Sequence, residues 1–293
     1  MAAPPPPDPR TGPPPDPRSG PPPDPPPDPR SGLADRLRAA GCVRAEDEAR
    51  LLAEAARTPA ELASLMDRRV GGEPLEQVLG WAEFCGRRFA VDQGVFVPRH
   101  RTEWLVRQAA AVAPAGGAVL VDLCCGSGAV GAAVAAALAA AGCPVELHAA
   151  DLDPAAVACA RRNLAGTGGR VYQGELFQPL PARLRGRVDL LVANVPYVPT
   201  GEIGLLPAEA RLHEPRLALD GGPDGLAVLR RLAAGAPRWL APGGHLLVET
   251  GQRQALAATG AVAAGGLVPR LARCEQLDAT VVIGTRPGAA PAG

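Results

Sequence analysis

The sequence has 293 residues, 47% of them hydrophobic, and its 30 basic and 30 acidic residues give a formal net charge of zero. This length suits one large domain or two smaller ones, and a neutral chain provides no overall positive field for nucleic acid. The 7 cysteines show no paired CxxC spacing, so no metal site is predicted, and no segment resembles a membrane span. We therefore expect a reduced, cytoplasmic protein with no membrane partner.

Residues 1–32 repeat variants of the segment PPPDPRSG. Proline fixes φ and lacks a backbone N–H, so this composition supports neither a helix nor a sheet. The pattern predicts a disordered, polyproline-like tail. Such a tail could bind a proline-recognition domain, but we interpret it as passive.

Residues 33–82 carry apolar side chains at three- and four-residue spacings, which predicts a small helical domain. Within it, Thr58 followed by Pro59 and Glu61 has the pattern of a helix start. Residues 83–98 then alternate apolar and polar side chains among glycines, which predicts a β-hairpin that links two domains.

Residues 99–293 alternate short apolar runs with helical segments. The predicted strands are residues 118–123, 145–150, 170–172, 188–193, 245–249 and 280–283, and the predicted helices include 130–141 and 154–164. Strands separated by helices indicate an α/β fold with a mostly parallel, doubly wound sheet. Ligands of such sheets bind beyond the carboxyl ends of the strands, so the residues that follow each strand are the candidate site.

The first of these strands ends at Asp122 and is followed by a glycine-rich turn. The letters GSGAVG from Gly126 to Gly131 fit the GxGxxG pattern of dinucleotide sites, which is weak evidence by itself. A carboxylate at Asp122 is poorly placed for a pyrophosphate and well placed for a cationic ligand. This difference favours S-adenosylmethionine (SAM) over NAD.

Acidic and apolar residues follow the next two strands. Asp151 comes where a carboxylate commonly binds ribose hydroxyls, and Asp153 provides a separate helix cap before Pro154. Glu175 and Leu176 follow the third strand and are candidate contacts of an adenine ring, although Glu175 could equally be solvated.

The fourth strand ends in Asn194-Val195-Pro196-Tyr197. An ordinary turn would explain an asparagine and a proline, but the position at a strand end favours chemistry. An amide or arylamine nitrogen carries N–H donors, which the Asn194 side-chain carbonyl and a backbone carbonyl of the proline turn can accept. Such a clamp aims the nitrogen at a methyl group, and Tyr197 can pack against the flat acceptor or face the sulfonium. We therefore predict Asn194, Pro196 and Tyr197 as catalytic and residues 194–197 as substrate-binding.

The sequence resembles the protein-(glutamine-N5) methyltransferases of the HemK/PrmC family over about residues 33–285. Besides the residues above, the matching segments are Gly72-Glu73-Pro74, Leu79-Gly80, Phe84, Gly94 to Arg99, Asp122-Leu123, Gly126 to Ala129, Glu175 to Phe177, Glu214-Pro215, Ala218-Leu219, Gly221-Gly222, Asp224 to Leu226, Pro242 to Gly244, Glu249 and Gly251-Gln252.

The resemblance implies a Rossmann-like SAM methyltransferase sheet with a small N-terminal helical domain for substrate recognition and a linking β-hairpin. It implies methylation of a glutamine side-chain amide in a protein, typically the Gly-Gly-Gln loop of a peptide-chain release factor, or in a related branch a ribosomal protein. The residues expected at the cofactor are Asp122, Cys124, Cys125, Gly126, Ser127, Gly128, Asp151, Glu175, Leu176 and Asn194.

Three positions depart from the family motifs. Val195 replaces the first proline after the asparagine, Cys124-Cys125 replaces a glycine-threonine pair, and Arg101 replaces a carboxylate near the hairpin exit. Besides a non-catalytic binding protein, two other functions are alternatives: an adenine or cytosine amino methyltransferase acting on nucleic acid, and an NAD-dependent oxidoreductase. The neutral charge argues against the first, and neither Asp122 nor the Asn194 motif is explained by the second.

Overall fold

A computed structural model describes Met1 and residues 32–288 of the chain. The tail predicted over residues 1–32 therefore lies almost entirely outside the described residues. Within the described part, no helix is long and apolar enough to cross a membrane.

The N-terminal part is a bundle of four helices. They are α1 (Leu33–Ala39), α2 (Ala45–Ala55), α3 (Pro59–Val70) and the short α4 (Leu75–Leu79). The start of α3 agrees with its sequence pattern, because the Thr58 hydroxyl accepts the Glu61 N–H at 3.1 Å. Leu37, Leu52 and Met66 are fully buried between the helices and form the centre of a separate small core.

A two-stranded hairpin connects the bundle to the larger part. Its strands β1 (Trp81–Phe84) and β2 (Arg87–Ala90) pair antiparallel around a turn at Cys85 and Gly86. The hairpin is shorter than the predicted span of residues 83–98. Residues beyond Ala90 leave the ladder because Asp92 starts a turn, in which its carbonyl accepts the Val95 N–H at 3.1 Å.

The larger part contains a seven-stranded sheet in the order β5-β4-β3-β6-β7-β9-β8. The strands are β3 (Ala118–Leu123), β4 (Val145–Asp151), β5 (Arg170–Gln173), β6 (Val188–Ala193), β7 (Leu240–Thr250), β8 (Val268–Cys274) and β9 (Ala279–Thr285). The first five are parallel, and β9 pairs antiparallel with both β7 and β8. The reversal of strand order between β3 and β6 creates the crevice in which doubly wound sheets bind ligands.

Helices cover both faces of the sheet, which confirms the predicted α/β fold. They are α5 (Glu103–Ala111), α6 (Ala129–Ala140), α7 (Pro154–Leu164), α8 (Ala208–His213), α9 (Arg216–Leu219), α10 (Ala227–Gly235) and α11 (Ala255–Ala264). Helices α5, α6 and α7 share one buried core with the sheet, and α10 and α11 share the other. The short helices α8 and α9 lie in the long connection between β6 and α10.

The helical bundle contacts the connection that contains α8. Arg69 is bound by buried Glu48 at 2.6 Å and reaches Glu209 of α8 at 3.2 Å. Gln77 donates to the Val95 carbonyl at 3.0 Å and accepts the Gly94 N–H at 3.2 Å. These bonds join the bundle to the segment that leads into the sheet.

Candidate functional site

One large cavity of about 1380 Å³ lies at the carboxyl ends of the parallel strands. A cavity for one drug-sized ligand usually measures about 300–1,000 Å³, so this one has room for a cofactor and part of a second substrate. The cavity is lined by residues that follow β3, β4, β5, β6 and β7, together with the connection around α8 and α9.

Asp122 forms part of the cavity wall at the end of β3. Its Oδ2 accepts the Gly131 N–H at 2.8 Å, and the side chain is 1% exposed. A Cβ at position 131 would come within 2.9 Å of that oxygen, so only glycine allows this approach. Burial raises the pKa of Asp122 to about 7. A cationic ligand beside Asp122 would favour the ionised carboxylate.

Asp151 closes the turn that follows β3. Its Oδ2 accepts the Gly126 N–H at 2.8 Å and its Oδ1 accepts the Asp153 N–H at 2.9 Å. The cap of α7 is Asp153, whose side chain accepts the Ala155 N–H. Asp151 therefore does not cap α7 and lines the cavity. Its predicted contact with ribose hydroxyls requires this position.

The remaining predicted cofactor residues divide into two groups. Cys124, Cys125, Gly126, Ser127, Glu175 and Leu176 line the cavity. Glu175 also forms an ion pair with Arg231 at 2.7 Å, which lowers the pKa of its carboxyl. Gly128 is not among the lining residues. It caps α6 at a φ of 78°, where an added Cβ would lie 3.1 Å from Ala160 of α7, so its structural role is close helix packing.

The four residues from Asn194 to Tyr197 lie together in the cavity wall. The Oδ1 atom of Asn194 is buried and has no hydrogen-bond partner among the described residues. No hydrogen bond reaches the Val195 carbonyl within residues 32–288 either. The Tyr197 carbonyl is held by Gln254 at 3.0 Å. The motif thus presents acceptors that a ligand with N–H groups can satisfy.

Arg101 and Glu249 form a polar cluster with Tyr197 that sequence reasoning did not predict. The Arg101 Nε donates to Glu249 Oε1 at 3.1 Å, and the same guanidinium bonds the Tyr197 hydroxyl. Glu249 is 2% exposed, and its Oε2 has no partner among the described residues. Burial raises the pKa of Tyr197 to about 12, so this hydroxyl stays protonated. Glu249 belongs to the matching segments and Arg101 departs from the family motif, but nothing in the sequence pairs the two.

A second ion pair connects the entry segment to the connection around α8. Arg99 donates to both oxygens of buried Glu214, at 2.6 and 2.7 Å, and Glu214 also accepts the Val97 N–H. The Arg99 guanidinium lies 5.0 Å from the ring of Phe96, which lines the cavity. Glu214 and the segment Gly94 to Arg99 are among the segments that match the family, and the sequence assigns neither of them a role. The ion pair shows that they join the entry segment to the connection around α8.

The cavity as a whole is acidic. It is lined by eleven acidic side chains and four arginines. Each arginine pairs with a glutamate: Arg99–Glu214, Arg101–Glu249, Arg231–Glu175 and Arg253–Glu202. Asp151, Asp153 and Asp278 form no ion pair with an arginine among the described residues, so the field favours a cationic or neutral ligand over a polyanion. No group of three metal-binding side chains occurs in the described part of the chain.

Comparisons with known proteins agree with this site. A family model described as "Methyltransferase small domain" matches residues 89–222. The release factor glutamine methyltransferase of Geobacter sulfurreducens is 44% identical over 202 residues, which cover 67% of this chain and 68% of that protein. The enzyme of the same name from Neisseria gonorrhoeae is 39% identical over 221 residues, or 73% of this chain and 78% of that protein.

Another relative carries a different name. The 4-amino-L-phenylalanine/4-methylamino-L-phenylalanine methyltransferase of Streptomyces pristinaespiralis is 41% identical over 197 residues, 64% of each chain. A solved structure of a ribosomal protein L11 methylase from Lactobacillus delbrueckii subsp. bulgaricus has a TM-score of 0.48 and 16% identity, covering 67% of this chain and 84% of that one. With 39–44% identity to relatives of which it covers more than two thirds, the chain belongs to the release factor glutamine methyltransferase family.

Proposed function

We propose that this protein transfers a methyl group from SAM to the side-chain amide nitrogen of a glutamine in a protein. The proposed substrate is the Gly-Gly-Gln loop of a peptide-chain release factor. A ribosomal protein is the alternative substrate for the same reaction. The observation that carries this proposal is the buried Oδ1 of Asn194, which has no partner among the described residues and lies in an acidic cavity large enough for two ligands. A substrate of this kind implies a cytoplasmic enzyme.

The residues around β3 and β4 fit the methyl donor. SAM supplies a methyl group activated by a positively charged sulfonium. Asp122 and the acidic wall suit the positive charges of this cofactor, and Asp151 is placed for ribose hydroxyls. Backbone turns at Cys124 to Ser127 give the ligand close access to the main chain, and Leu176 supplies an apolar wall.

The acceptor side of the proposal rests on hydrogen bonding. Two acceptors, Asn194 Oδ1 and the Val195 carbonyl, are free to receive the two N–H bonds of a primary amide. Fixing both hydrogens aligns the nitrogen with the methyl group, and alignment alone contributes several kcal/mol, up to about 7–11 in the best cases. Tyr197, held by Arg101 and Glu249, offers a rigid surface for the flat amide.

The helical bundle is proposed to recognise the substrate protein. It reaches the cavity through Arg69 and Glu209, and Glu209 itself lines the cavity. Exposed apolar side chains flank the same opening, including Leu205, Leu212 and Leu217. A protein loop entering the cavity would contact both surfaces.

The acidic lining of the cavity argues against two alternative functions, nucleic-acid methylation and NAD-dependent oxidoreduction. Nucleic acid and NAD both bring phosphate groups, and the negative charge of Asp151 and its acidic neighbours in the cavity wall opposes them. A second candidate function has a specific observation in its favour, namely the 41% identity to the aminophenylalanine methyltransferase. An arylamine nitrogen presents N–H donors to the same clamp, so a free amino acid is a competing acceptor.

The deciding experiment is mass spectrometry of acceptors after incubation with enzyme and SAM. Purified release factors, ribosomal proteins and 4-amino-L-phenylalanine are offered separately, and a 14-dalton gain on the Gly-Gly-Gln glutamine is expected because one methyl replaces one hydrogen. Asn194→Ala should retain S-adenosylhomocysteine binding and lower turnover by a factor of about 100 or more, since a fixed acceptor is lost. Asn194→Asp is the matched control and should retain part of the turnover, because its carboxylate still accepts. Equal turnover of Asn194→Ala and wild type would show that the clamp is wrong.

A further inference from the structure

Glu249 is a buried carboxylate that the proposed clamp does not use. Its side chain is 2% exposed, its Oε1 is bonded to Arg101, and its Oε2 has no partner among the described residues. Leaving a buried acceptor without a donor is unfavourable, and more so for a charged group. A ligand group that offers a donor to Oε2 would remove that cost.

The register of the sheet places Glu249 beside the acceptor clamp. Strands β6 and β7 are parallel with Ala193 opposite Val248, so the following residues, Asn194 and Glu249, are neighbours at the same sheet edge. Both residues line the cavity at this edge. The Tyr197 hydroxyl, 3.4 Å from Glu249 Oε1, provides a direct contact between the motif and this carboxylate. The two unpartnered oxygens, Asn194 Oδ1 and Glu249 Oε2, therefore belong to one wall of the cavity.

We propose that Glu249 accepts the proton that the acceptor nitrogen loses on methylation, and that Arg101 is the positioning residue that holds Glu249 for this task. This inference rests on the proposed transfer of a methyl group to nitrogen. Asn194 and Val195 orient the acceptor nitrogen, but neither of them receives its proton. Glu249 would add that catalytic function to the clamp.

A bond forms between the nitrogen and the methyl carbon while the bond from sulfur to that carbon breaks, so the sulfonium becomes a neutral thioether. The nitrogen now carries the positive charge and releases one N–H proton. Oε2 of Glu249 takes this proton, which leaves an N-methyl amide and a neutral carboxylic acid. The carboxyl returns its proton to solvent after the product has left.

The surroundings of Glu249 suit a proton acceptor. Burial raises the pKa of its carboxyl, which makes it a stronger base than an exposed glutamate, while the Thr102 hydroxyl and the Arg101 guanidinium oppose that rise. The groups that face it are Arg101 and the Thr102 hydroxyl from the segment before α5, Tyr197 from the loop after β6, and apolar Val281 opposite it on β9. Because Arg101 and Tyr197 both engage Oε1, the free lone pairs are those of Oε2.

The test compares four variants with the wild type, using an acceptor that the wild type methylates. Glu249→Gln keeps the shape but cannot take a proton, and we expect its turnover to fall by a factor of about 100 or more. Its affinity for S-adenosylhomocysteine should stay within about twofold of wild type, since the proton acceptor is not a cofactor ligand. Wild-type turnover should fall at low pH as Glu249 becomes protonated, and Glu249→Gln should lack this acid limb.

Arg101 is tested by the position of that limb. Arg101→Gln removes the cation, raises the pKa of Glu249 further, and should move the acid limb to higher pH. Arg101→Lys should restore the limb toward its wild-type position, which a purely structural role would not require. Glu83→Gln, an exposed glutamate on β1, is the matched control and should keep the wild-type profile.

Three results would overturn the proposal. If Glu249→Gln weakens S-adenosylhomocysteine binding as much as turnover, Glu249 is a cofactor ligand. If Glu249→Gln retains turnover and the acid limb, another group takes the proton. If the wild type methylates none of the acceptors, the proposed function itself fails and the role of Glu249 fails with it, whereas an active wild type with an unaffected variant overturns the role of Glu249 alone.

Discussion

Replacing Asp122 with asparagine should stabilise the protein in the absence of cofactor and weaken cofactor binding. The asparagine keeps the shape and can still accept the Gly131 N–H that Asp122 accepts at 2.8 Å. It removes a buried charge whose pKa is raised by burial from 3.8 to about 7. Each unit of pKa corresponds to about 1.36 kcal/mol. Above pH 7 the buried charge therefore lowers the free energy of unfolding of the wild type by at most about 4 kcal/mol.

The sign follows from proton binding. Between pH 4 and 7 the folded state holds a proton on Asp122 that the unfolded state has released, so stability falls as pH rises through this window. The stability advantage of Asp122→Asn should therefore grow by about 2–3 kcal/mol between pH 5 and pH 8. Denaturant unfolding of both proteins without ligand measures this advantage at each pH. The contributions of the other buried carboxylates are the same in both proteins and cancel in the difference. An advantage that is the same at both pH values would refute the claim that burial keeps Asp122 protonated.

Cofactor binding provides the second half of this prediction. If Asp122 faces a positive group of SAM, the variant loses a charge-assisted hydrogen bond of about 1.5–3 kcal/mol, and S-adenosylhomocysteine should bind about 10- to 100-fold more weakly. Wild-type protein should also release protons on binding at pH 6, because the cation favours the ionised carboxylate. Calorimetry in two buffers of different ionisation enthalpy measures that release, and Asp122→Asn should lose it.

The remaining predictions concern Val195 and the N-terminal tail. Val195→Pro restores the family residue. Because no hydrogen bond from the Val195 N–H is found within residues 32–288, we expect turnover within about threefold of wild type. A loss by a factor of about ten or more in the same methyl-transfer assay would show that the valine determines the conformation of the turn. Deletion of residues 2–31 should leave turnover and the melting temperature unchanged, since a proline-rich tail supplies no packed core, and a clear drop in either would contradict the passive interpretation.

The parts of the fold that were predictable are those specified by local sequence. Strands β3 and β6 and helix α7 have the predicted bounds, because uninterrupted apolar runs form the strands and Asp153 with Pro154 starts the helix. Strand β8 was missed. It is an edge strand that contains Pro269, Arg270 and Arg273 and pairs only with β9, so only one side of it needs hydrogen bonds and its sequence lacks a continuous apolar run.

The site shows the same division. Residues that follow parallel strands, such as Asp122, Asp151 and Asn194, could be predicted because the topology of a doubly wound sheet brings strand ends together. The bond between Arg101 and Glu249 could not, because it joins residues 148 positions apart. Gly128 matched the cofactor pattern by spacing, but its distance to Ala160 shows a packing role that spacing does not reveal.

The three departures from the family motif differ in what they change. Cys124 has a φ of 55°, in the left-handed region where the family has glycine, so the chain keeps the shape of the turn at a cost of about 1–2 kcal/mol. Val195 is buried and keeps its carbonyl, so it preserves the acceptor. Arg101 alone alters charge, because it places a cation against Glu249 and Tyr197 where relatives have a carboxylate. A carboxylate there would raise the pKa of Glu249 further and keep it protonated to higher pH. This chain therefore retains the backbone of the clamp and changes the electrostatics of the group next to the acceptor nitrogen, which makes Arg101 the position at which its substrate preference and pH dependence should differ from those of its relatives.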